Sequence, residues 1–115
     1  MLLVLIIHEA GLRSSLVAQL SLAGASIVTA KDVDDPMLTR SVRKPSILVL
    51  DHEFVAAQQA GWLDDVLAEP RWNRLVVLDG PADCPADPRC IALDGKNAAA
   101  SIMASMPGWK AQLVA

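Results

Sequence analysis

Short runs of apolar residues recur along the chain with few polar interruptions. These runs cover residues 2–7, 26–30, 46–50, 74–78 and 90–93. A strand that is covered on both faces of a sheet has a continuous apolar run, whereas a half-exposed strand alternates between apolar and polar residues. The pattern therefore predicts five buried β-strands.

Segments with helical periodicity separate the predicted strands. The first of them places four apolar residues on one helical face, namely Leu12, Leu16, Val17 and Leu20. Gly24 is a natural stop for this helix. We predict further helices over 34–44, 54–68 and 97–106.

Glycine and proline residues mark the weak points and the ends of these helices. Pro36 suits the first turn of the helix over 34–44, and Gly61 weakens the middle of the helix over 54–68. Pro107 and Gly108 are expected to end the last helix, so that a tail follows it. Trp109 lies on this tail, where an exposed ring would be a contact anchor for a partner.

The alternation of strands and helices predicts an α/β fold, a three-layer sandwich around a parallel five-stranded sheet. In such sheets functional residues gather beyond the carboxyl ends of the strands. Three of the predicted strands are followed directly by a carboxylate, at Asp51, Asp79 and Asp94. We therefore expect these three side chains at one edge of the sheet, where a site would lie.

Composition limits the function classes. The chain has 115 residues, enough for one domain with a single core, and 53% of them are apolar, which indicates a folded domain. The net charge of −3 gives no electrostatic reason to expect nucleic acid, and the apolar N-terminal run is too short for a signal peptide or a membrane span. Because the chain begins at Met1 and ends without a clear stop, we expect residues 1–115 to be the N-terminal module of a longer protein.

The two cysteines, Cys84 and Cys90, indicate the cellular setting. They have neither the density of a disulfide scaffold nor the spacing of a zinc site. Free thiols in a reduced, cytoplasmic setting are the expected state, and a redox pair between the two residues is the alternative.

Two stretches connect this order of elements to a known family. "HEAGLR" (residues 8–13) follows the first strand, and "ILVLD" (residues 47–51) ends the third. With these stretches the chain resembles a bacterial response-regulator receiver domain over nearly its whole length. The resemblance implies the CheY-like or flavodoxin-like strand order 2-1-3-4-5 and a role in two-component signal transduction. It also puts Asp51 at the position of the family's phospho-accepting aspartate.

The other positions of the family's phosphorylation site depart from its pattern. The acidic pair that holds Mg²⁺ in the family falls on Ile7 and His8 or on His8 and Glu9, so at least one metal ligand is lost. Asp79 stands where the family has a hydroxyl, and Asp94 stands at or near the position of its lysine. Lys96 lies two residues beyond and is expected to point elsewhere. Carboxylates at these positions would repel a phosphoryl group.

These residues form a degenerate acidic pocket for which we expect no catalytic residue, metal or cofactor. Asp51 is either a phosphorylatable nucleophile or an acid that caps loop amides. Asp79 and Asp94 are either turn residues or, together with Asp51, ligands of Mg²⁺ or Ca²⁺. His8 either pairs with Asp51 or is a solvated loop residue, and Glu9 is the remaining acid of the pocket.

The link between the fourth and fifth strands lacks the helix that the family has there. Residues 80–89 read "GPADCPADPR", and the prolines predict an extended loop in place of that fourth helix. Such a loop covers less of the sheet than a helix does. We therefore expect apolar surface near these strands, or on the last helix, to contact a protein partner or a second copy of the chain.

The leading hypothesis from the sequence is a non-enzymatic pseudo-receiver that acts through protein–protein contacts as a homodimer, with no nucleic acid or membrane bound by this domain. One alternative is an active but atypical receiver that uses Asp51 with a metal site of Glu9, Asp51 and Asp79. The other is a small flavodoxin-like redox protein. The stretch "HEAGLR" disfavours a flavin protein because it is not a glycine- or hydroxyl-rich phosphate loop.

Overall fold

The computed structural model describes residues 2–33, 35–36, 38, 45–79 and 89–114. The strands are β1 (Leu2–Ile6), β2 (Ser26–Thr29), β3 (Ser46–Asp51), β4 (Trp72–Leu78) and β5 (Cys90–Leu93). The helices with defined bounds are α1 (Ala10–Leu22), α2 (His52–Ala56), α3 (Trp62–Leu67) and α4 (Ala98–Val114).

The five strands form one parallel sheet in the order β2-β1-β3-β4-β5. This confirms the predicted fold class, the parallel sheet and the strand order. β3 lies at the centre, and all six of its residues are buried. The carboxyl ends of β1, β3, β4 and β5 therefore lie along one edge, which brings together the loops that follow these strands.

Apolar side chains form one core cluster on each face of the sheet. Leu3 and Leu5 belong to the cluster shared with α1 and α4, whereas Val4 and Ile6 belong to the cluster shared with α2 and α3. Successive side chains of a strand point to opposite faces, so a continuous apolar strand supplies both clusters. The two clusters on either side of the sheet give the three layers that the sequence predicts.

The region predicted as one helix over 54–68 contains two short helices, so that prediction was wrong. α2 begins at His52, directly after the capping residue Asp51, and α3 begins after Gly61. Gly61 has φ +82°, in the left-handed region that glycine occupies without steric cost. A helix cannot continue through this conformation, so the glycine separates two helices where the sequence indicated only a weak point.

The last helix extends well beyond its predicted end. Helix α4 runs from Ala98 to Val114 with Pro107 inside it, so the prediction of a helix over 97–106 with a separate tail was wrong. A proline inside a helix costs about 3 kcal/mol, and a glycine costs about 1 kcal/mol relative to alanine.

The packing of Trp109 offsets the free-energy cost of the proline inside α4. The Trp109 side chain is only 8% exposed and belongs to the same core cluster as Leu16 and Leu20 of α1. Burying a tryptophan contributes about 4 to 6 kcal/mol at about 25 cal/mol per Å² of apolar surface. Trp109 therefore has the packing role, and it is not an exposed contact anchor.

Two sequence predictions lie outside the described residues. The helix over 34–44 is described only at residues 35, 36 and 38, of which Pro36 and Leu38 are helical. The loop over 80–89 is described only at Arg89.

Cys90 begins β5 and is disulfide-bonded, and none of the described cysteines is free. Cys84 lies outside the described part of the chain. The expectation of a free thiol was therefore wrong for Cys90.

None of the helices within the described ranges combines the length and the apolar character that crossing a bilayer requires.

Candidate functional site

A cleft of about 440 Å³ lies at the edge of the sheet where the strands have their carboxyl ends. The loops after β1, β3, β4 and β5 all contribute to its walls. Glu9, Asp51, Glu53 and Asp79 supply carboxylates, Lys96 supplies one ammonium group, and Leu12 and Leu78 supply apolar surface. The cleft is the candidate functional site, because it collects most of the charged residues that the sequence singles out.

Asp51 is the most deeply buried charged residue of this cleft, with 3% of its surface exposed. Its Oδ1 accepts a hydrogen bond from the backbone N–H of Phe54 at 3.0 Å, which caps the N-terminus of α2. Its Oδ2 accepts a hydrogen bond from the backbone N–H of Glu9 at 2.9 Å. The carboxylate therefore joins the loop after β1 to the start of α2, and each of its oxygens already has a partner.

Glu9 also acts on the backbone. It is the N-cap of α1, and its two carboxylate oxygens accept hydrogen bonds from the N–H groups of Gly11 and Leu12, at 2.9 and 2.5 Å. The first turn of a helix leaves N–H groups without a partner inside the helix, and a carboxylate there also interacts favourably with the helix dipole. The negative charge of Glu9 is therefore placed at the N-terminus of α1, where it stabilises that helix.

Asp79 holds the loop that follows β5. Its Oδ1 accepts a hydrogen bond from the N–H of Gly95 at 2.8 Å, and its own N–H donates to the carbonyl of Leu93. A Cβ atom on residue 95 would lie 2.6 Å from Oδ2 of Asp79 and 3.1 Å from Cδ1 of Leu12. Any side chain at residue 95 would therefore require the Asp79 carboxylate to shift from this position. Asp79 itself has φ +55°, a conformation typical of a turn.

Asp94 and Lys96 occupy positions that differ from the sequence expectation. Asp94 is exposed, does not line the cleft, and accepts a hydrogen bond from the backbone N–H of Lys96 at 3.1 Å. Lys96 was expected to point away from the site, yet it forms part of the wall of the cleft that contains Asp51. The loop after β5 therefore brings a cation, and not Asp94, to the cleft.

His8 lies outside the cleft wall and packs on an aromatic ring. Its imidazole contacts Phe54 edge to face, with the ring centroids 5.0 Å apart, and Phe54 in turn contacts Trp62 in the same manner at 5.4 Å. The oxygens of Asp51 are bonded to backbone amides, so the alternative in which His8 pairs with Asp51 is not the observed arrangement. The guanidinium of Arg13 donates to the carbonyl of Ile7, which fixes the same loop.

The residues of the cleft do not fit the Mg²⁺ that the receiver resemblance implies. A hard cation prefers several carboxylate oxygens that converge on one point. Here both oxygens of Asp51 and of Glu9 accept backbone hydrogen bonds, and Asp79 is turned toward Gly95. In the described part of the chain, no group of three or more His, Cys, Asp or Glu side chains is arranged to hold a metal ion.

Chemically, these carboxylates organise loops. Asp51, Glu9 and Asp79 each accept hydrogen bonds from the backbone of a different turn, so the acidic edge stabilises the ends of the strands and the starts of two helices. Sequence reasoning missed the capping role of Glu9 because glutamate is not among the preferred N-cap residues. It also missed the pairing of Asp79 with Gly95, although the repeated "LDG" at 78–80 and 93–95 was a visible signal.

No protein-family model, no curated protein and no solved structure matches the chain. A function for this chain is therefore inferred from its fold and from the geometry of the cleft.

Proposed function

We propose that this chain is a pseudo-receiver, a regulatory domain of bacterial two-component signalling that acts through protein–protein contacts and does not accept phosphate in the usual Mg²⁺-dependent way. The observation that carries the proposal is the state of Asp51. The carboxylate is almost fully buried, and its two oxygens accept hydrogen bonds from the backbone of Glu9 and Phe54.

These hydrogen bonds disfavour nucleophilic attack by Asp51. An attacking carboxylate oxygen must approach the phosphorus atom in line with the leaving group, while cations neutralise the transferring oxygens. In this chain the Glu9 carboxylate caps α1 and the Asp79 carboxylate holds the loop after β5, and Asp79 adds negative charge where a phosphoryl group would need a donor. A buried acid that holds two loops together is consistent with a scaffold for a binding surface.

The direct test is incubation with Mg²⁺ and acetyl phosphate followed by intact-mass measurement. We expect no phosphoryl adduct on the wild-type chain and none on Asp51→Asn. An adduct that forms on the wild type and is absent from Asp51→Asn would overturn the proposal. Circular dichroism on both proteins establishes that the missing adduct comes from a folded domain.

An active but atypical receiver is the second candidate, and the placement of Lys96 favours it. Lys96 is one of the residues that line the same cleft as Asp51, and on this hypothesis its ammonium group is the cation that binds a phosphoryl oxygen. On this hypothesis the adduct forms on the wild type, is lost in Asp51→Asn and is reduced in Lys96→Ala. Lys110→Ala is the matched control, because Lys110 is an exposed lysine on α4 that does not line the cleft.

The proposed partner surface includes β5 and the adjacent part of α4, used by a second copy of the chain or by another protein. β5 is an outer strand of the sheet, and none of its four residues is buried. Light scattering over a range of concentrations tests the homodimer. A strict monomer at high concentration would leave only the interaction with another protein.

We propose a cytoplasmic location, the setting of two-component regulators. The disulfide at Cys90 favours an oxidising compartment instead, because cytoplasmic thiols are kept reduced. Alkylation in freshly lysed cells decides between the two. Two modified thiols per chain support the cytoplasmic proposal, and an unmodified chain contradicts it.

A further inference from the structure

The outer strand β2 directs one row of backbone groups away from the sheet. Among the described strands β2 pairs only with β1. The N–H of Ala30 donates to the carbonyl of Leu5, and Leu5 is the register partner of Thr29. In a parallel ladder this register turns the backbone of alternate residues, Val28 and Ala30, toward β1. The N–H and C=O groups of Ile27 and Thr29 therefore point outward.

This outward row lies on an accessible strand that has no protection against pairing. Ser26 and Thr29 are exposed, and Ile27 and Val28 are half-buried. Edge strands are usually protected by a charged residue, a proline or a bulge. β2 has the uncharged sequence Ser-Ile-Val-Thr, and its register with β1 runs without a shift. The edge of β2 is therefore a template for another strand.

The spacing of the outward residues fits a second copy of β2 in antiparallel orientation. A two-fold axis perpendicular to the sheet at Val28 places Ile27 of each copy opposite Thr29 of the other. Both members of this pair direct N–H and C=O groups outward, as the hydrogen-bonded pair of an antiparallel ladder requires. Val28 then lies opposite Val28 of the second copy, where β-branched apolar side chains pack favourably.

The charges that follow β2 do not oppose this pairing. In the same register Lys31 falls opposite Ala25 of the second copy, and Asp32 falls opposite Gly24. Like charges directly opposite each other would destabilise a pair of strands, and this register brings none together.

The other outer strand, β5, is less suited to pair with itself. The carbonyl of Leu93 accepts a hydrogen bond from the N–H of Asp79, so the backbone of Leu93 faces β4 and that of the next residue, Asp94, faces outward. The carbonyl of Asp94 already accepts a hydrogen bond from the N–H of Asn97, and its side chain is an exposed carboxylate. The outward row of β5 is therefore partly engaged and ends in a charge.

We propose that the edge of β2 pairs with the same edge of a second copy of the chain, so that two domains share one continuous sheet across a two-fold axis at Val28. None of the β2 residues lines the cleft, which stays accessible in this dimer. Self-association at both edges would give open filaments, so a closed dimer through β2 leaves β5 to another protein. The inference does not depend on the receiver hypothesis, because it uses only the register, exposure and sequence of β2.

Amide hydrogen exchange at several protein concentrations is the primary test. The amides of Ile27 and Thr29 should exchange rapidly in dilute protein. In concentrated protein they should slow several-fold, in proportion to the fraction of chains in the dimer. The amides of Val28 and Ala30, which face β1, are the internal control and should not change. Exchange of Ile27 and Thr29 that is independent of concentration would overturn the proposal.

Substitutions of Thr29 separate pairing from folding. Thr29→Pro removes an outward N–H that the β1–β2 ladder does not use, so the domain should fold and sediment as a monomer. Thr29→Val keeps the donor at the same exposed position and should dimerise like the wild type. Sedimentation velocity measures association, and circular dichroism measures folding. A Thr29→Pro protein that dimerises like the wild type would contradict pairing at this edge.

A charge exchange at Val28 tests the position of the two-fold axis. Val28→Lys and Val28→Glu each place like charges opposite each other in a homodimer, so each protein alone should be monomeric. An equimolar mixture should restore the dimer, because a lysine then faces a glutamate. A mixture that stays monomeric would place the axis elsewhere and overturn this register. If either Val28 variant fails to fold, the two Thr29 variants decide the question.

An exposed change on β5 distinguishes this edge from the surface proposed for β5 and α4. Ala92 is exposed on β5, and Ala92→Lys should leave the β2 dimer intact. Loss of the dimer in Ala92→Lys together with its persistence in Thr29→Pro would overturn the inference and support a homodimer through β5.

Discussion

Asp51 holds two separate parts of the chain together through backbone hydrogen bonds. The residue accepts one hydrogen bond from the loop after β1, 42 residues earlier in the chain, and one from the first turn of α2. Because the acceptor is buried, loss of the carboxylate leaves N–H groups that water cannot readily reach. The same residue that a receiver would phosphorylate is therefore a structural element in this chain.

Replacement of Asp51 by alanine should lower the free energy of unfolding by about 2 to 4 kcal/mol, because a helix cap and a second hydrogen bond are lost together. Asp51→Asn keeps one acceptor oxygen and should lose about half as much. Urea denaturation measures both. Glu53→Gln is the matched control, since Glu53 is an exposed carboxylate in the same helical turn and should change stability by less than about 1 kcal/mol. An Asp51→Ala protein as stable as the wild type would contradict the cap.

The contact between Asp79 and Gly95 predicts coupled mutations. Gly95→Ala places a methyl group against the Asp79 carboxylate and should cost about 1 to 3 kcal/mol of stability. In an Asp79→Ala background the same change should cost about 1 kcal/mol less, because the clashing oxygen is gone. A double-mutant cycle by chemical denaturation measures this coupling. Strict additivity of the two stability changes would contradict the contact between Asp79 and Gly95. Gly108→Ala is the control for a glycine with open space around it.

At the scale of elements, the helices show how local preference and packing compete. Gly61 ends a helical pattern because its left-handed conformation is built into the turn before α3. Pro107 does not end α4, because the packing of Trp109 outweighs the local cost. Both residues carry a sequence signal for a break, and only the tertiary contacts determine which signal prevails.

Gly61→Ala should lower the free energy of unfolding by about 1 to 2 kcal/mol, although the added Cβ meets no atom within 4 Å. The cost comes from the positive φ angle alone. Gly61→Asn should lose less, because asparagine tolerates the left-handed region better than alanine does. Thermal and urea denaturation of the pair test this. Equal stability of Gly61→Ala and the wild type would mean that the turn before α3 adopts another conformation.

At the scale of the whole molecule, the cleft is lined by several acidic residues, and most of their carboxylates also accept hydrogen bonds from the backbone. Among the described residues that line it, the acids outnumber the lysine Lys96, yet Asp51, Glu9 and Asp79 are each engaged with backbone amides of different loops. A cation in the cleft would have to share most of these oxygens with backbone N–H donors.

Calorimetric titration of the domain with Mg²⁺ should therefore give no appreciable heat, and saturating Mg²⁺ should leave the melting temperature unchanged. A ligand that binds only the folded state raises stability in proportion to the logarithm of its concentration. A melting temperature that rises with the Mg²⁺ concentration in the wild type, but not in Asp51→Asn, would show that the acids are available to a metal. It would favour the atypical receiver over the pseudo-receiver.

The sequence by itself determined the class of the fold, because continuous apolar runs and helical periodicity are local properties, whereas the order of the strands was predicted from the resemblance to a receiver domain. It also placed Asp51 and Asp79 at the correct edge of the sheet, since parallel strands end together. Only the tertiary structure decided what these acids do. The bond from Glu9 to Asp51 and the bond from Gly95 to Asp79 join loops that are distant along the chain. The continuation of α4 past Pro107 likewise depends on Trp109 reaching a core cluster supplied in part by α1. Local sequence patterns do not encode these contacts, because the contacts depend on how separate elements are placed in space.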